Sequence, residues 1–322
     1  MIWVIGSQGM LGQEVVKLLE ENKFTCIKTG HELDISNYGA LEEFIKEQET
    51  KAYLSSHSRG DPSDRKVKWI INCAAYTAVE KAEKEKKEAL CVNATGAENI
   101  ARAARYCGAR LIHISTDYVF DGTATVPYDE EQPKKPLGSY GESKSLGEDA
   151  IQKQMTQYYI IRTAWLYGPK KVNFVYTMTK LMNTRPEIKV VSDQRGTPTY
   201  APDLAEVILK IIKTTPESID ITSSKKNALP YGIYNYTNEG ETTWYEFAQE
   251  IYRLGKKYLR ISNECSVSPC TTEEFGAKVS RPAYSVLSKK KITQGLKLKI
   301  PSWKQSLEKF IKGNLFDESL AK

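Results

Sequence analysis

The chain has 322 residues, a length that suggests about two domains, or one large α/β unit with an appended lobe. Its 40% hydrophobic and 27% charged content is ordinary for a soluble globular protein, and the net charge of +6 is mild. No Lys/Arg stripe with interleaved aromatic residues occurs, which argues against nucleic-acid binding, and no apolar run reaches the ~18–20 residues that span a membrane.

The six cysteines show neither a Cys-x-x-Cys pair nor a metal-ligand spacing with the three histidines. In a chain of this size they predict free, mostly buried thiols in a reducing compartment. Met1 is followed at once by an apolar run, without the basic segment and cleavage site of a signal peptide. We therefore expect a cytoplasmic protein.

The chain opens with an apolar run, a glycine turn and an amphipathic segment. Residues 2–5 predict a parallel strand buried on both faces, and residues 13–22 predict a helix packed on the sheet. Such a turn lets the backbone approach a pyrophosphate at the N-terminus of the helix; the alternative is a glycine-rich turn without a ligand. The turn residues that we expect to hold a dinucleotide are Gly6, Gly9, Met10, Leu11 and Gly12.

The spacing Gly-x-x-Gly-x-x-Gly resembles the extended branch of the short-chain dehydrogenase/reductase superfamily, which modifies sugar nucleotides. Residues 24–28 would be the second strand, and a carboxylate at its end would bind the 2′-hydroxyl of NAD. Lys28 stands there instead, which favours the 2′-phosphate of NADP; the alternative is a surface lysine. Asp34 and Ile35, before a predicted helix over residues 38–47, match the family's adenine pocket, so the resemblance makes them cofactor contacts.

Small residues end the next buried strand, which is predicted over residues 69–75. Ala74, Ala75 and Tyr76 match the superfamily segment beside the nicotinamide-side ribose and the phosphates. The polar residues 50–68 before this strand predict a surface loop or insertion without an assigned role. The alternating Glu and Lys of residues 80–88 predict a solvated helix face.

Residues 110–115 predict a strand with Thr116 at its carboxyl end, where ligands of open parallel sheets bind. Thr116 could hydrogen-bond a carbonyl or a phenol there; the alternative is that it only caps the following turn. Tyr140 and Lys144 lie four residues apart, about one turn apart on one helix face. A nearby ammonium lowers a phenol pKa, so the pair could exchange a proton near pH ~7. Alone, this spacing predicts no more than a solvated helix face.

Alternating strands and helices up to residue 168 predict a Rossmann-type doubly wound α/β fold with about six parallel strands. We expect residues 1–170 to form a dinucleotide-binding domain, to which strands near residues 188–191 and 231–236 return. Residues 171–322 would form mainly a smaller sugar-nucleotide-binding lobe. In this part Thr243 and Glu246 show a capping-box pattern before a helix, and the polar residues 216–230 predict another loop.

Five segments in order resemble the dTDP-4-dehydrorhamnose reductase family, and the resemblance covers nearly the whole chain. It implies reduction of the C4 ketone of dTDP-4-dehydro-L-rhamnose to dTDP-L-rhamnose by NADPH or NADH. It makes Tyr140 the proton donor, and Lys144 the residue that lowers the Tyr140 pKa and binds the nicotinamide ribose. Thr116 would orient the carbonyl. The segments are residues 115–122, 140–148, 160–168, 193–204 and 281–287.

The resemblance also implies sugar-side residues. Asp117 and Trp165 match positions that contact the sugar, although Trp165 could equally be core packing. Arg281, next to Pro282, is a candidate for the diphosphate because an arginine fork suits phosphate oxygens; the alternative is a surface arginine.

One position departs from the family. Some members dimerise around a magnesium ion held by glutamates, and Pro202 stands at the middle position of that set. This argues against a magnesium-bridged dimer and leaves a monomer or another homodimer open. Two other functions stay open: another sugar-nucleotide 4-ketoreductase or epimerase on the same scaffold, and a non-catalytic regulatory subunit like that of methionine adenosyltransferase. The sequence leaves the nucleotide base and the C4 configuration undecided.

Overall fold

The computed structural model describes residues 1–55, 66–216, 228–277 and 279–321. Its strands are β1 (Ile2–Ile5), β2 (Cys26–Thr29), β3 (Trp69–Asn72), β4 (Arg110–Thr116), β5 (Tyr158–Thr163), β6 (Leu166–Tyr167), β7 (Glu187–Val191), β8 (Arg195–Gly196), β9 (Thr199–Tyr200), β10 (Gly232–Asn235), β11 (Thr242–Thr243) and β12 (Ser266–Cys270). Its α-helices are α1 (Met10–Glu21), α2 (Tyr38–Ser55), α3 (Val79–Ala82), α4 (Lys86–Leu90), α5 (Gly96–Cys107), α6 (Ser139–Gln154), α7 (Phe174–Thr184), α8 (Ala201–Thr214), α9 (Trp244–Lys257), α10 (Thr272–Phe275), α11 (Lys290–Leu296) and α12 (Trp303–Lys312).

Six parallel strands form the central sheet in the order β10-β5-β4-β3-β1-β2. β1 shows why the sheet is buried on both sides, since its side chains alternate between two cores. Ile2 and Val4 pack toward α1 and α8, while Trp3 and Ile5 pack toward α2 and α5. This arrangement confirms the predicted doubly wound α/β class.

A second core lies among α7, α9, α12 and β7. β7 pairs with β12 in a separate two-stranded sheet, so the expectation that residues 188–191 return to the central sheet is wrong. The physical reason is that Glu187 and Lys189 of this strand are exposed, and a strand with charged residues on one face does not fit a sheet covered on both sides. β10 lies at the edge of the central sheet, beside β5. The domain boundary near residue 170 stays a prediction.

The sequence placed most elements but not all their ends. α1 begins at Met10, before the predicted start at residue 13. α2 continues to Ser55, so residues 50–55 are helix and not the predicted loop. The rest of that loop, over residues 56–65, lies outside the described residues, as do residues 217–227 of the second polar loop.

Three further sequence expectations concern capping, thiols and the membrane. The capping box of Thr243 and Glu246 at the start of α9 is confirmed by both of its hydrogen bonds. All six cysteines are free thiols, as expected, but only Cys265 and Cys270 are buried, so the expectation that most of them are buried is wrong. Among the described residues, each helix is too short or too polar to cross a lipid bilayer.

Candidate active site

The glycine turn between β1 and α1 is built by contacts that exclude a Cβ atom. Gly6 has a φ of +74°, and a Cβ there would lie 2.6 Å from the backbone nitrogen of Ala74. A Cβ on Gly12 would lie 2.1 Å from the carbonyl oxygen of Gly6. Gly9 caps α1 without a side-chain hydrogen bond to the helix. The turn therefore brings the helix N-terminus close to the sheet edge, and its residues fit the pyrophosphate of a dinucleotide.

A cleft of about 500 Å³ opens beside this turn, at the carboxyl ends of β3, β4 and β5. It brings together the start of α1, the strand end that carries Thr116 and the first turns of α6. The residues singled out from the sequence that line it are Gly9, Met10, Leu11, Ala75, Thr116, Asp117, Tyr140, Lys144 and Trp165.

Tyr140 lies in the first turn of α6, and its ring meets that of Tyr118 edge to face at 5.5 Å. Burial raises the pKa of the Tyr140 phenol, a hydrogen bond with Thr116 opposes this, and Asp117 raises the pKa further. This differs from the expectation that Lys144 lowers the Tyr140 pKa, because burial dominates the shift and the Lys144 ammonium is bonded to the carbonyl oxygen of Ile114 instead. The phenol is therefore protonated at neutral pH, the state that a proton donor requires.

Lys144 is buried one turn further along α6, with its side chain directed at β4. Its Nζ donates a hydrogen bond of 2.6 Å to the carbonyl oxygen of Ile114 and lies 3.4 Å from Nε2 of His113. Burial lowers the pKa of Lys144 to about 8, and the charge of Glu148 partly opposes this. The side chain is thus a cation at neutral pH that loses its charge in the mildly alkaline range.

Thr116 and Asp117 form the polar wall of the cleft opposite α6. The Thr116 hydroxyl donates to Oδ1 of Asp117 at 3.0 Å and accepts from the backbone N–H of Tyr118 at 3.2 Å. Thr116 therefore does both: it caps the turn after β4 and it faces the cleft. Burial raises the pKa of Asp117 to about 6, and the nearby hydroxyls of Ser285 and Thr116 oppose the rise; its Oδ2 makes no hydrogen bond of ordinary geometry among the described residues. A buried acceptor without a partner suits a hydroxyl donor from a ligand.

Trp165 and Arg281 occupy different places. Trp165 lines the cleft with a φ of +47° and stacks on Trp244, with ring centroids 3.6 Å apart, so it is both a wall of the site and a packing residue. Arg281 lies outside this cleft and lines a separate cavity of about 130 Å³ with Trp244. Its guanidinium is 3.2 Å from Oε1 of Glu80.

The structure also places the other predicted cofactor residues outside the cleft. Lys28 pairs with Glu20 at 2.5 Å beside a neighbouring groove. Asp34 accepts hydrogen bonds from Ser36. Ile35 is buried in the core, and Ala74 packs under the glycine turn. The Tyr76 hydroxyl donates a hydrogen bond to Glu85.

Two residues near the site were missed from the sequence. Glu83 lies in the Glu/Lys run predicted as solvated, yet Oε1 accepts the backbone N–H of Ser139 at 2.6 Å and so caps α6. No local signal distinguishes it from its neighbours. His113 is buried below Lys144; a histidine inside the apolar run of residues 111–114 was a signal of a buried polar group, but not of its contact with α6.

The predicted absence of a magnesium site rested on Pro202, which lies in the first turn of α8. Within the described part of the chain, no group of three or more His, Cys, Asp and Glu residues could hold a metal ion.

Comparison with known proteins places this geometry in context. The family model described as RmlD substrate binding domain matches residues 1–315. The spore coat polysaccharide biosynthesis protein SpsK of Bacillus subtilis (strain 168) is 36% identical over 96% of this chain and 96% of its own length. The dTDP-4-keto-6-deoxy-D-glucose reductase of Streptomyces niveus is 33% identical over 88% of each chain.

A solved structure matches the fold along nearly the whole chain. It is the dTDP-4-dehydrorhamnose reductase of Bacillus anthracis str. Ames in complex with NADP, which is 36% identical with a TM-score of 0.81. The match covers 96% of this chain and 97% of that one.

Proposed function

The chain belongs to the dTDP-4-dehydrorhamnose reductase family of the extended short-chain dehydrogenase/reductases, and we propose that it reduces the C4 ketone of dTDP-4-dehydro-L-rhamnose to give dTDP-L-rhamnose. One observation carries the proposal: the glycine turn opens into the same cleft as Thr116, Tyr140 and Lys144. A dinucleotide site and a proton donor thus share one cavity.

NADPH or NADH is the cofactor of this reaction, and when bound it supplies the hydride. The NADP complex of the Bacillus anthracis relative supports this assignment. In this chain Gly9, Met10 and Leu11 would hold the pyrophosphate, because they form the uncapped start of α1 beside the cleft. Lys144 would bind the nicotinamide ribose, since it reaches the cleft as a cation below pH ~8. Magnesium has no part in the proposal.

Tyr140 gives its phenolic proton to the oxygen at C4. The raised pKa keeps the phenol protonated until negative charge develops on the substrate oxygen. Thr116, whose hydroxyl contacts Asp117 and Tyr140, would orient the carbonyl by turning its one proton from Asp117 to the substrate oxygen. The charge of Lys144 then favours the tyrosinate that remains.

The sugar side of the cleft is formed by Asp117 and Trp165. Oδ2 of Asp117 is free to accept a sugar hydroxyl, and the Trp165 ring is held rigidly by its stack on Trp244. Arg281 is proposed for the diphosphate. It would have to exchange its contact with Glu80, which is half-exposed and therefore weak.

The test is Tyr140→Phe, assayed by NADPH oxidation with dTDP-4-dehydro-L-rhamnose. We expect kcat to fall by a factor of about 100 or more, because general acid catalysis is lost. The Kd for NADPH should stay within about twofold, since the ring remains in place. Tyr106→Phe, at a half-exposed tyrosine outside the cleft, is the matched control. Near-normal turnover of Tyr140→Phe would remove Tyr140 from the mechanism.

A second candidate is a 4-ketoreductase that acts on another dTDP sugar. The Streptomyces niveus relative, named dTDP-4-keto-6-deoxy-D-glucose reductase, favours it, because it covers 88% of this chain, as does the dTDP-4-dehydrorhamnose reductase of Streptomyces griseus. NADPH oxidation assayed side by side with dTDP-4-dehydro-L-rhamnose and dTDP-4-keto-6-deoxy-D-glucose decides between the two.

We also propose a cytoplasmic location, supported by the six free thiols, and a monomer or homodimer. Light scattering of the purified protein tests the oligomeric state.

A further inference from the structure

A chain of buried polar groups runs beneath the cleft from the glycine turn to α6. Asn72 of β3 and His113 of β4 are register partners in the sheet and are each 1% exposed. Asn72 contacts the backbone of Ala74, which packs under Gly6. His113 contacts Lys144. These groups therefore link the floor of the cofactor site to Lys144.

The hydrogen bonds determine which way the Asn72 amide faces. The backbone N–H of Ala74 can only donate, and it lies 3.0 Å from Oδ1 of Asn72. The amide oxygen is therefore on the Ala74 side. Nδ2 of Asn72 then faces Nδ1 of His113 at 3.0 Å and donates to it.

The same reasoning fixes the tautomer of His113. Burial and the charge of Lys144 hold the pKa of His113 well below its usual value, so the imidazole is neutral. A neutral imidazole that accepts at Nδ1 carries its proton on Nε2. That N–H points toward Nζ of Lys144, 3.4 Å away. Two donors thus face each other, and the ammonium gains no hydrogen bond from the imidazole.

The other neighbours of Lys144 leave it few acceptors. Its Nζ donates to the carbonyl oxygen of Ile114 at 2.6 Å. Glu148, one turn further along α6, has its oxygens bonded to Ser115 at 2.5 Å and to Arg162 at 2.8 Å. The ammonium protons that remain are directed to the open side of the residue, which is the cleft.

We propose that Asn72 and His113 form a positioning pair. Asn72 holds His113 in the tautomer that presents an N–H, and no acceptor, to the Lys144 ammonium. The ammonium therefore stays directed at the cofactor. The inference rests on the proposed function, in which Lys144 binds the nicotinamide ribose. His113 and Asn72 are positioning residues, since both act on the cofactor through Lys144.

The first test measures the tautomer without any ligand. The chain has three histidines, so ¹⁵N-histidine labelling gives three sets of ring signals, and His113→Gln identifies the set of His113. We expect a protonated Nε2 and an unprotonated Nδ1 at neutral pH. A protonated Nδ1 would overturn the inference, whatever the substrate of the enzyme is.

The second test reverses the tautomer. In Asn72→Asp one carboxylate oxygen still accepts from the Ala74 N–H, and the other oxygen replaces the Nδ2 donor. This second oxygen can only accept, so the proton of His113 moves to Nδ1. Nε2 then becomes an acceptor for Lys144 and draws the ammonium away from the cleft. We expect NADPH to bind about tenfold more weakly at pH ~7, the effect of losing one charged hydrogen bond.

ADP is the control ligand for this variant because it lacks the nicotinamide ribose, and its Kd should change less than about twofold. An equal loss of ADP and NADPH affinity would mean a general effect of the added charge and would overturn the positioning role. Unchanged NADPH binding in Asn72→Asp would overturn it too. If the unaltered protein binds NADPH but does not reduce the sugar nucleotide, the proposed substrate fails and the positioning role stands.

Discussion

Replacing Arg162 with methionine tests the buried ion pair that anchors α6 to the sheet. The guanidinium of Arg162 on β5 donates to both oxygens of Glu148, Nε at 3.0 Å and Nη2 at 2.8 Å. Ser115 donates to the same carboxylate at 2.5 Å. The two charged side chains are 2% and 0% exposed, so water cannot solvate the carboxylate when its partner is removed.

Removing one partner of such a pair costs about 3–5 kcal/mol, because an uncompensated charge stays buried. Lys134 lies 3.5 Å from Glu148 and retains part of the compensation, so we expect the lower end of this range. Urea unfolding followed by circular dichroism measures the loss. The control is Lys257→Met, which breaks the exposed Lys257–Glu308 pair at 2.8 Å and should lower stability far less, because water screens an exposed pair. Equal losses in the two variants would refute the role of burial.

Three further predictions concern the glycine turn, the start of α6 and the charge of Lys144. Gly12→Ala should destabilise the protein by about 1–3 kcal/mol and abolish NADPH binding in fluorescence titration, because the new Cβ would lie 2.1 Å from the Gly6 oxygen. Glu83→Ala should cost about 1 kcal/mol in urea unfolding by removing the cap on Ser139. NADPH affinity should fall as pH rises through about 8, because the lowered pKa of Lys144 leaves the ammonium only below that value; a flat profile to pH ~10 would contradict this.

The central sheet was predictable because its strands are short apolar runs followed by turn residues. Ile2–Ile5 is the simplest case, since a continuous apolar strand has to be buried on both faces. The prediction that β7 joins the central sheet failed for the opposite reason. Its Ile188 and Val190 gave an apolar signal, but Glu187 before them and Lys189 between them are exposed, which shows that one face of the strand is solvated. The alternation was visible in the sequence and was the better guide.

The sequence predicted several of the residues that meet in the cleft, but not their electrostatics. Spacing alone places Tyr140 and Lys144 on one face of a helix. It does not show that both become buried, and burial decides the direction of both pKa shifts. The contacts of Glu83 and His113 with α6 join segments far apart in the chain, so no local pattern could reveal them.

α6 contacts the sheet side through its small residues, and this explains why Tyr140, the proposed proton donor, is so firmly placed. A Cβ on Gly141 would lie 2.2 Å from the Tyr118 carbonyl oxygen, and a Cβ on Gly147 would lie 2.2 Å from that of Asn93. The helix backbone is therefore in contact with its neighbours on two sides, and few large apolar side chains lie between them. Because close packing permits little displacement, these glycines fix the distance between the helix and the backbone segments that it packs against. The polar contacts of Ser139 with Glu83 and of Glu148 with Arg162 fix its rotation, and with it the direction in which Tyr140 faces the cleft.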